Sequence, residues 1–232
     1  RHKAQLVTGG HLTDTPIDSV YSGVVSLRGL RLMVFLAELN GLETWATDIG
    51  NAYLEAETME KVAIEAGPEF GELEGHTLII FKALYGLKSS GLRWYERFSD
   101  CLREMDFFPC KAEPCIWMRR NGDLYEYIAV YVDDLAIACK DPEAIVSVLK
   151  NKYKFKLKGT GKIDYHLGCG FSRDEDGVLC ISPRRYVDKM VDAYQTMFGE
   201  MPSSKVQSPL EKGDHPEIDT SPLLDEEMIQ KY

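Results

Sequence analysis

Apolar residues recur at helical spacing over residues 27–39 (LRGLRLMVFLAEL), and Gly41 just beyond supplies a stop signal. Residues 42–54 change to a short strand-like run entering Asp48. Residues 56–75, rich in Glu and Gly with Pro68, predict a hairpin or loop excursion. His76 to Leu84 is apolar and partly β-branched, which predicts a strand. From Ser90 to Phe107, the pattern Leu92, Tyr95, Phe98, Leu102, Met105 predicts a long amphipathic helix. Two strand-like runs, Leu124–Val132 and Leu135–Cys139, flank Asp133-Asp134 as a hairpin would. Asp141-Pro142 offers a cap and a first-turn proline for a helix with Ile145, Val148 and Leu149 on one face. Lys152–Leu157 alternates basic and apolar residues, predicting a strand with one wet face. Ser182-Pro183 repeats the cap signal for a helix to about Phe198, with Tyr186, Met190, Ala193 and Met197 turned inward. Beyond Pro202 no periodicity remains, so 203–232 is expected to be an extended linker.

Composition adds limits. A chain of 232 residues with 44% hydrophobic and 10% aromatic residues can bury a core, which excludes wholesale disorder and fibrous architectures. No run approaches the roughly eighteen apolar residues of a membrane span. Arg1-His2-Lys3 precedes only a brief apolar stretch, so neither a signal peptide nor a transmembrane segment is expected, and the location is expected to be intracellular. The first residue is not Met, so a segment of a longer chain is expected. Net charge is −10, of which residues 211–232 carry −5 through seven acids and two lysines. A basic nucleic-acid footprint is thus absent as an average. A local one survives in Lys150, Lys152, Lys154, Lys156, Lys158 and Lys162, with no acid among them. The six cysteines lack Cys-x-x-Cys spacing and paired histidines, as reduced intracellular cysteines do.

The chemistry is concentrated in YIAVYVDDLAIAC, where Asp133 and Asp134 interrupt an apolar stretch. Desolvating a lone carboxylate is costly, so these acids need partners. Alone they would also suit a tight turn. Asp48 ends a second strand-like run. If the two runs are neighbours, three carboxylates converge and repel one another unless a cation neutralises them. Oxygen ligands without His or Cys suit magnesium, and two such ions about 4 Å apart form a site for phosphoryl chemistry.

Asp48-Ile49-Gly50-Asn51-Ala52-Tyr53, Leu84-Tyr85-Gly86-Leu87-Lys88 and Tyr131-Val132-Asp133-Asp134, in this order, resemble the reverse transcriptase of copia-type LTR retrotransposons. Lys3-Ala4 with Leu6-Val7, Arg93-Trp94-Tyr95, Pro114-Cys115 and His166-Leu167-Gly168 (beside that family's Phe-Leu-Gly) extend the likeness to about Pro209-Leu210. The resemblance implies an α+β right-hand polymerase fold: an RRM-like antiparallel palm sheet with helices on one face, interleaved fingers and a partial thumb. Fingers would occupy 1–23 and 56–88, palm 24–55 and 89–172, the start of the thumb 173–202, and 203–232 would lead toward ribonuclease H.

It implies RNA-directed DNA synthesis, with Asp48, Asp133 and Asp134 catalytic and binding two Mg2+ ions, for which Mn2+ could substitute. Lys3, Tyr53, Gly86 and Lys88 would bind the nucleotide, Tyr53 as a gate against the 2′-hydroxyl. Lys158 would donate a proton to pyrophosphate. Lys150, Lys152, Lys154, Lys156 and Gly168 would follow the nucleic-acid backbone. The implied partners are a primed RNA or DNA template and deoxynucleoside triphosphates. Integrase and ribonuclease H would flank the segment in a polyprotein within cytoplasmic particles. The sequence departs from the family at Gln5 (usually Arg), at Ser89-Ser90-Gly91 (usually Gln-Ala-Pro) and at Gly159-Thr160-Gly161 (usually carrying an acid). Gln5 and the acidity leave an alternative, a catalytically decayed or co-opted palm that binds nucleic acid or protein without extending a primer.

Overall fold

A six-stranded antiparallel sheet is the largest sheet of the computed structural model, which describes residues 6–13, 16, 20–203 and 225–231. The strands are β1 (Glu43–Ile49), β4 (Phe108–Pro109), β5 (Ile116–Asn121), β6 (Leu124–Tyr131), β7 (Asp134–Cys139) and β8 (Leu157–Lys162). Their spatial order is β4-β5-β6-β7-β1-β8. A separate hairpin pairs β2 (Glu57–Glu65) with β3 (Thr77–Lys82): the strand expected at 76–84 forms, while 56–75 supplies its partner strand and the connection rather than a hairpin of its own. Short strands β9 (Tyr165–His166), β10 (Cys169–Arg173) and β11 (Leu179–Ser182) follow. The chain divides into two units, one of Arg1–Leu167 with Phe171–Cys180, the other of Gly168–Gly170 with Ile181–Tyr232.

Helix α1 (Leu27–Leu39) is capped by Ser26, whose hydroxyl accepts from the Gly29 amide at 3.0 Å. Gly41 beyond its end takes φ +56°, the left-handed stop that the sequence signals. Helix α2 (Ser90–Glu104) ends three residues before Phe107, where Asp106 turns left-handed at φ +65°. Helix α3 (Pro142–Asn151) begins on Asp141, whose carboxylate accepts from the Ala144 amide at 3.1 Å.

Alternation along β6 and β7 makes two different faces. Ile128, Val130, Leu135 and Ile137 point into one core with Trp94, Phe98 and Leu102 of α2, Ile145 and Leu149 of α3, and Phe155. Burying each such side chain is worth about 1.5–3 kcal/mol. The opposite face carries Ala129, Ala136 and Ala138, fully buried though small. Helix α1 lies against β1, β6 and β7 and buries Leu30, Met33, Val34 and Ala37, none of which joins the first core. Helices therefore cover both faces rather than one. Alanines permit this, because a helix can approach a sheet closely where the facing side chains are single methyl groups.

Three other expectations are corrected. Residues 152–156 form no strand: Lys152 caps α3, Lys154 is left-handed at φ +62°, and Phe155 is drawn inward by the aromatic core. β8 starts only at Leu157. Helix α4 (Arg184–Phe198) forms, but Tyr186, Met190, Ala193 and Met197 are all exposed, Met190 at 57%. Residues Glu226–Lys231 form a short helix, α5, where a linker was expected, and the Asp225 side chain accepts from the Met228 amide at 2.8 Å. Lys3, Gln5 and most of 203–232 lie outside the described residues. No helix among the described residues is long and apolar enough to cross a membrane.

Candidate active site

β1 and β7 run antiparallel, and their register sets Asp48 directly opposite Asp134. Directly opposed residues project to the same face, so these two carboxylates are neighbours because of strand pairing alone. Tyr131 and Asp134 close the β6–β7 hairpin around a two-residue loop, Val132-Asp133. Val132 takes φ +56° and Asp133 stays outside the positive-φ region. That combination matches the tight turn whose first loop position favours glycine. Here a β-branched residue occupies it, an uncommon and strained choice.

Contacts among the described residues hold this turn. The Ile49 amide donates to the Asp133 carbonyl at 2.8 Å, tying the turn to the end of β1. The Trp94 indole donates to the Val132 carbonyl at 2.7 Å. Tyr131 pairs with Asp134 in the ladder. The acids are thus placed through the main chain from which they project.

The electrostatics show that the acids share one field. Burial lifts the Asp134 carboxyl above its usual range, and the charges of Asp133 and Asp48 lift it further. Tyr53 lies in the short 3-10 turn Ala52–Glu55 directly after β1. Burial raises its phenol first, and the Asp133 charge adds to that. Tyr85 is raised by burial and then by Asp133, Tyr53 and Asp48. The Tyr53 and Tyr85 rings lie 4.8 Å apart at 44°. Tyr85 is a site residue that the sequence reading passed over, although it stands inside the quoted Leu84–Lys88 block. Trp94 was passed over in the same way.

On the other flank, Lys158 of β8 stands opposite Asp48 in the register. A methyl group added at Gly50 would lie 2.9 Å from the Lys158 ammonium nitrogen, so Gly50 leaves room for that side chain. No ion pair between Lys158 and Asp48 forms among the described residues.

The other expected site residues are scattered. Gly86 takes φ +95°, and a side chain there would run into the Thr8 carbonyl, so a close crossing of main chains already requires glycine. Thr8 completes that crossing by donating its amide to the Tyr85 carbonyl at 2.8 Å. Lys88 is half-buried and its ammonium donates to the Thr13 carbonyl at 2.8 Å. Lys152 pairs with Glu104 at 3.2 Å and lies over the Tyr153 ring, while Lys150, Lys154 and Lys156 are exposed. Without a strand at 152–156, these lysines do not share a flat face. Gly168 belongs to the second unit and is left-handed at φ +80°. Of the departures from the resemblance, Ser89 and Ser90 are buried, and Ser90 donates its hydroxyl to the Leu84 carbonyl at 2.7 Å.

The donor set suits a hard divalent cation in its chemistry: oxygen ligands, mutual repulsion and partial burial. It is not complete. Among the described residues no group of three or more His, Cys, Asp or Glu side chains stands ready to hold a metal ion. Oxygens from water or substrate would have to fill the shell, as magnesium sites in phosphate chemistry commonly arrange.

Comparison with known proteins decides the family. The family described as "Reverse transcriptase (RNA-dependent DNA polymerase)" matches residues 1–204. The chain belongs to the reverse transcriptase family. This reverse transcriptase segment is of the copia type and resembles the Pol polyproteins of retrotransposons. It is 27% identical to "Retrovirus-related Pol polyprotein from transposon TNT 1-94" of Nicotiana tabacum over 202 residues, 84% of this chain and 15% of that protein. It is 28% identical to "Retrovirus-related Pol polyprotein from transposon RE1" of Arabidopsis thaliana over 192 residues, 81% of this chain and 13% of that one. It is 31% identical to "Transposon Ty1-NL2 Gag-Pol polyprotein" of Saccharomyces cerevisiae over 169 residues, 70% of this chain and 9% of that one. The reverse transcriptase segment thus spans less than a sixth of the length of these relatives.

Proposed function

We propose that this segment is the polymerase core of a copia-type retrotransposon and adds deoxynucleotides to a primer 3′-hydroxyl on an RNA or DNA template. The observation that carries the reading is the register Asp48 opposite Asp134, with Asp133 in the connecting turn. The six-stranded sheet with α2 and α3 would be the palm, the β2–β3 hairpin part of the fingers and α4 the start of the thumb. Asp48, Asp133 and Asp134 would hold two magnesium ions. When bound, the ions supply positive charge that offsets the triphosphate and favours an ionised primer oxygen.

The chain's own residues do the rest. The hairpin turn presents its carboxylates on a rigid sheet, so little reorganisation accompanies reaction. Tyr53, braced against Tyr85, gives a wall beside the acids that would collide with a ribose 2′-hydroxyl. Lys158, on the neighbouring strand, offers a proton at its ammonium nitrogen to the departing pyrophosphate. Flanking integrase and ribonuclease H regions and assembly in cytoplasmic particles belong to the same proposal.

The test is primer extension on an RNA template with magnesium, comparing the native segment with Asp133→Asn. Native extension with no product from the variant, both folded by circular dichroism, is the expected result. Equal extension by both would refute the assigned chemistry. Template-primer binding without extension by the native segment would favour the decayed binding module instead.

A further inference from the structure

The chemistry proposed above needs Asp133 and Asp134 fixed, yet the turn that carries them is built from an unsuitable residue. Val132 is β-branched and sits at φ +56°, at the loop position where this tight turn normally carries glycine. Its side chain packs against the main core cluster, so it is not free to swing away. A turn of this kind holds only where the surroundings over-determine it.

Among the described residues, one side chain is seen to hydrogen-bond the main chain of the strained residue itself. The Trp94 indole nitrogen donates to the Val132 carbonyl at 2.7 Å, across 38 residues of sequence. Trp94 is 2% exposed. Its ring stacks on Phe98 with centroids 5.2 Å apart and planes 21° apart, and meets Phe155 edge-on at 5.7 Å. The donor is therefore held by two rings, Phe98 one turn further along its own helix α2 and Phe155 from outside it. Because the carbonyl of Val132 belongs to the peptide leading into Asp133, fixing that oxygen fixes the plane from which the Asp133 side chain springs. The carbonyl of Asp133 is fixed in turn by the Ile49 amide. Both peptides flanking Asp133 are thereby pinned, one by β1 and one by a side chain.

We infer that Trp94 is a positioning residue for the acidic turn, its indole N–H clamping Val132 in the positive-φ conformation that presents Asp133 and Asp134. The inference rests on the proposed polymerase reading for its consequence in catalysis, but its structural content stands apart from that reading. The clamp reports the packing of α2 and Phe155 to the acids: loosening that packing moves the donor, and the turn relaxes toward an ordinary backbone.

The test compares the native segment, Trp94→Phe, Val132→Gly and the double variant by hydrogen exchange and by primer extension. Phenylalanine keeps the stacking and removes only the donor. Trp94→Phe is expected to speed amide exchange in a peptide covering 131–135 by about tenfold, the worth of one buried hydrogen bond. Peptides covering the remainder of β6 and β7 should stay protected. Extension at saturating nucleotide should fall by a similar factor with KM for nucleotide little changed, since the acids and not the nucleotide pocket are displaced. Glycine needs no clamp at φ +56°, so Val132→Gly should restore both readouts in the Trp94→Phe background. A role in packing alone would leave the double variant worse than either single one.

Unchanged exchange at 131–135 in Trp94→Phe, or no rescue by Val132→Gly, overturns the inference. If Trp94→Phe fails to fold, benzothienylalanine at position 94, the same shape with sulfur for N–H, gives the same comparison. Loss of extension in the native segment together with local exchange effects would refute the polymerase reading and leave the clamp standing.

Discussion

Replacing His166 by phenylalanine should flatten the acid side of the stability curve of the first unit. His166 is 4% exposed, and its Nε2 is buried with no hydrogen-bond partner among the described residues. Burial pushes its pKa down to about 4 from the ordinary 6.5. The folded state therefore keeps the ring neutral while the unfolded chain protonates it near pH 6.5. Stability from this group is complete above that pH and drains away as pH falls toward 4. The whole difference is about 3 kcal/mol, of which about 2 kcal/mol is lost by about pH 5. Phenylalanine cannot be protonated and leaves no orphan nitrogen, and it is the residue that the family's Phe-Leu-Gly block carries at this point.

The measurement is urea unfolding of both forms at about pH 7.5 and about pH 5, followed by far-ultraviolet circular dichroism. Carboxylates lose stability in acid in both forms alike, so the difference between the two pH-induced drops isolates the imidazole. The His166→Phe variant should lose about 2 kcal/mol less than the native protein over this interval. Equal losses, within about 0.5 kcal/mol, would refute the buried neutral histidine.

Two further substitutions test the main-chain crossing at Gly86 and a buried ion pair in the sheet. Gly86→Ala should destabilise by at least about 1–3 kcal/mol, seen as a lowered thermal midpoint, because φ +95° and the nearby Thr8 carbonyl both oppose a side chain. A neutral result would mean that the Thr8 crossing does not persist in solution. Arg119→Met should cost about 3 kcal/mol, since Glu126, 6% exposed at its side chain, would lose both of its guanidinium bonds while remaining buried. Adding Glu126→Gln should recover part of that loss in urea titrations, and no recovery would refute the argument from an unpaired buried charge.

Much of the site was legible in the chain. Asp133 and Asp134 interrupt an apolar run, and local periodicity places α1, α2, α3 and the β6–β7 hairpin with only small errors at their ends. Such features depend on neighbours within about a turn of helix or one strand, so the sequence carries them directly. The order of the three motif blocks carried the family as well.

What needed the tertiary structure was every relation between distant stretches. Strand periodicity says which residues share a face but not which strand lies alongside, so Asp48 opposite Asp134 follows from register and not from spelling. Trp94 on the Val132 carbonyl, Lys88 on the Thr13 carbonyl and Gly86 against Thr8 are likewise pairings across chain distance. The same cause explains the misplaced elements. The alternating residues 152–156 satisfy a strand pattern locally, but Phe155 gains more by entering the aromatic core. Helix α4 has the apolar face that periodicity predicts, yet a pattern alone supplies no surface to cover it. The sequence thus determined which residues could do chemistry; the pairing of β1 with β7 decided that Asp48 and Asp134 stand opposite one another, because side-chain direction is local whereas proximity is a property of the whole sheet.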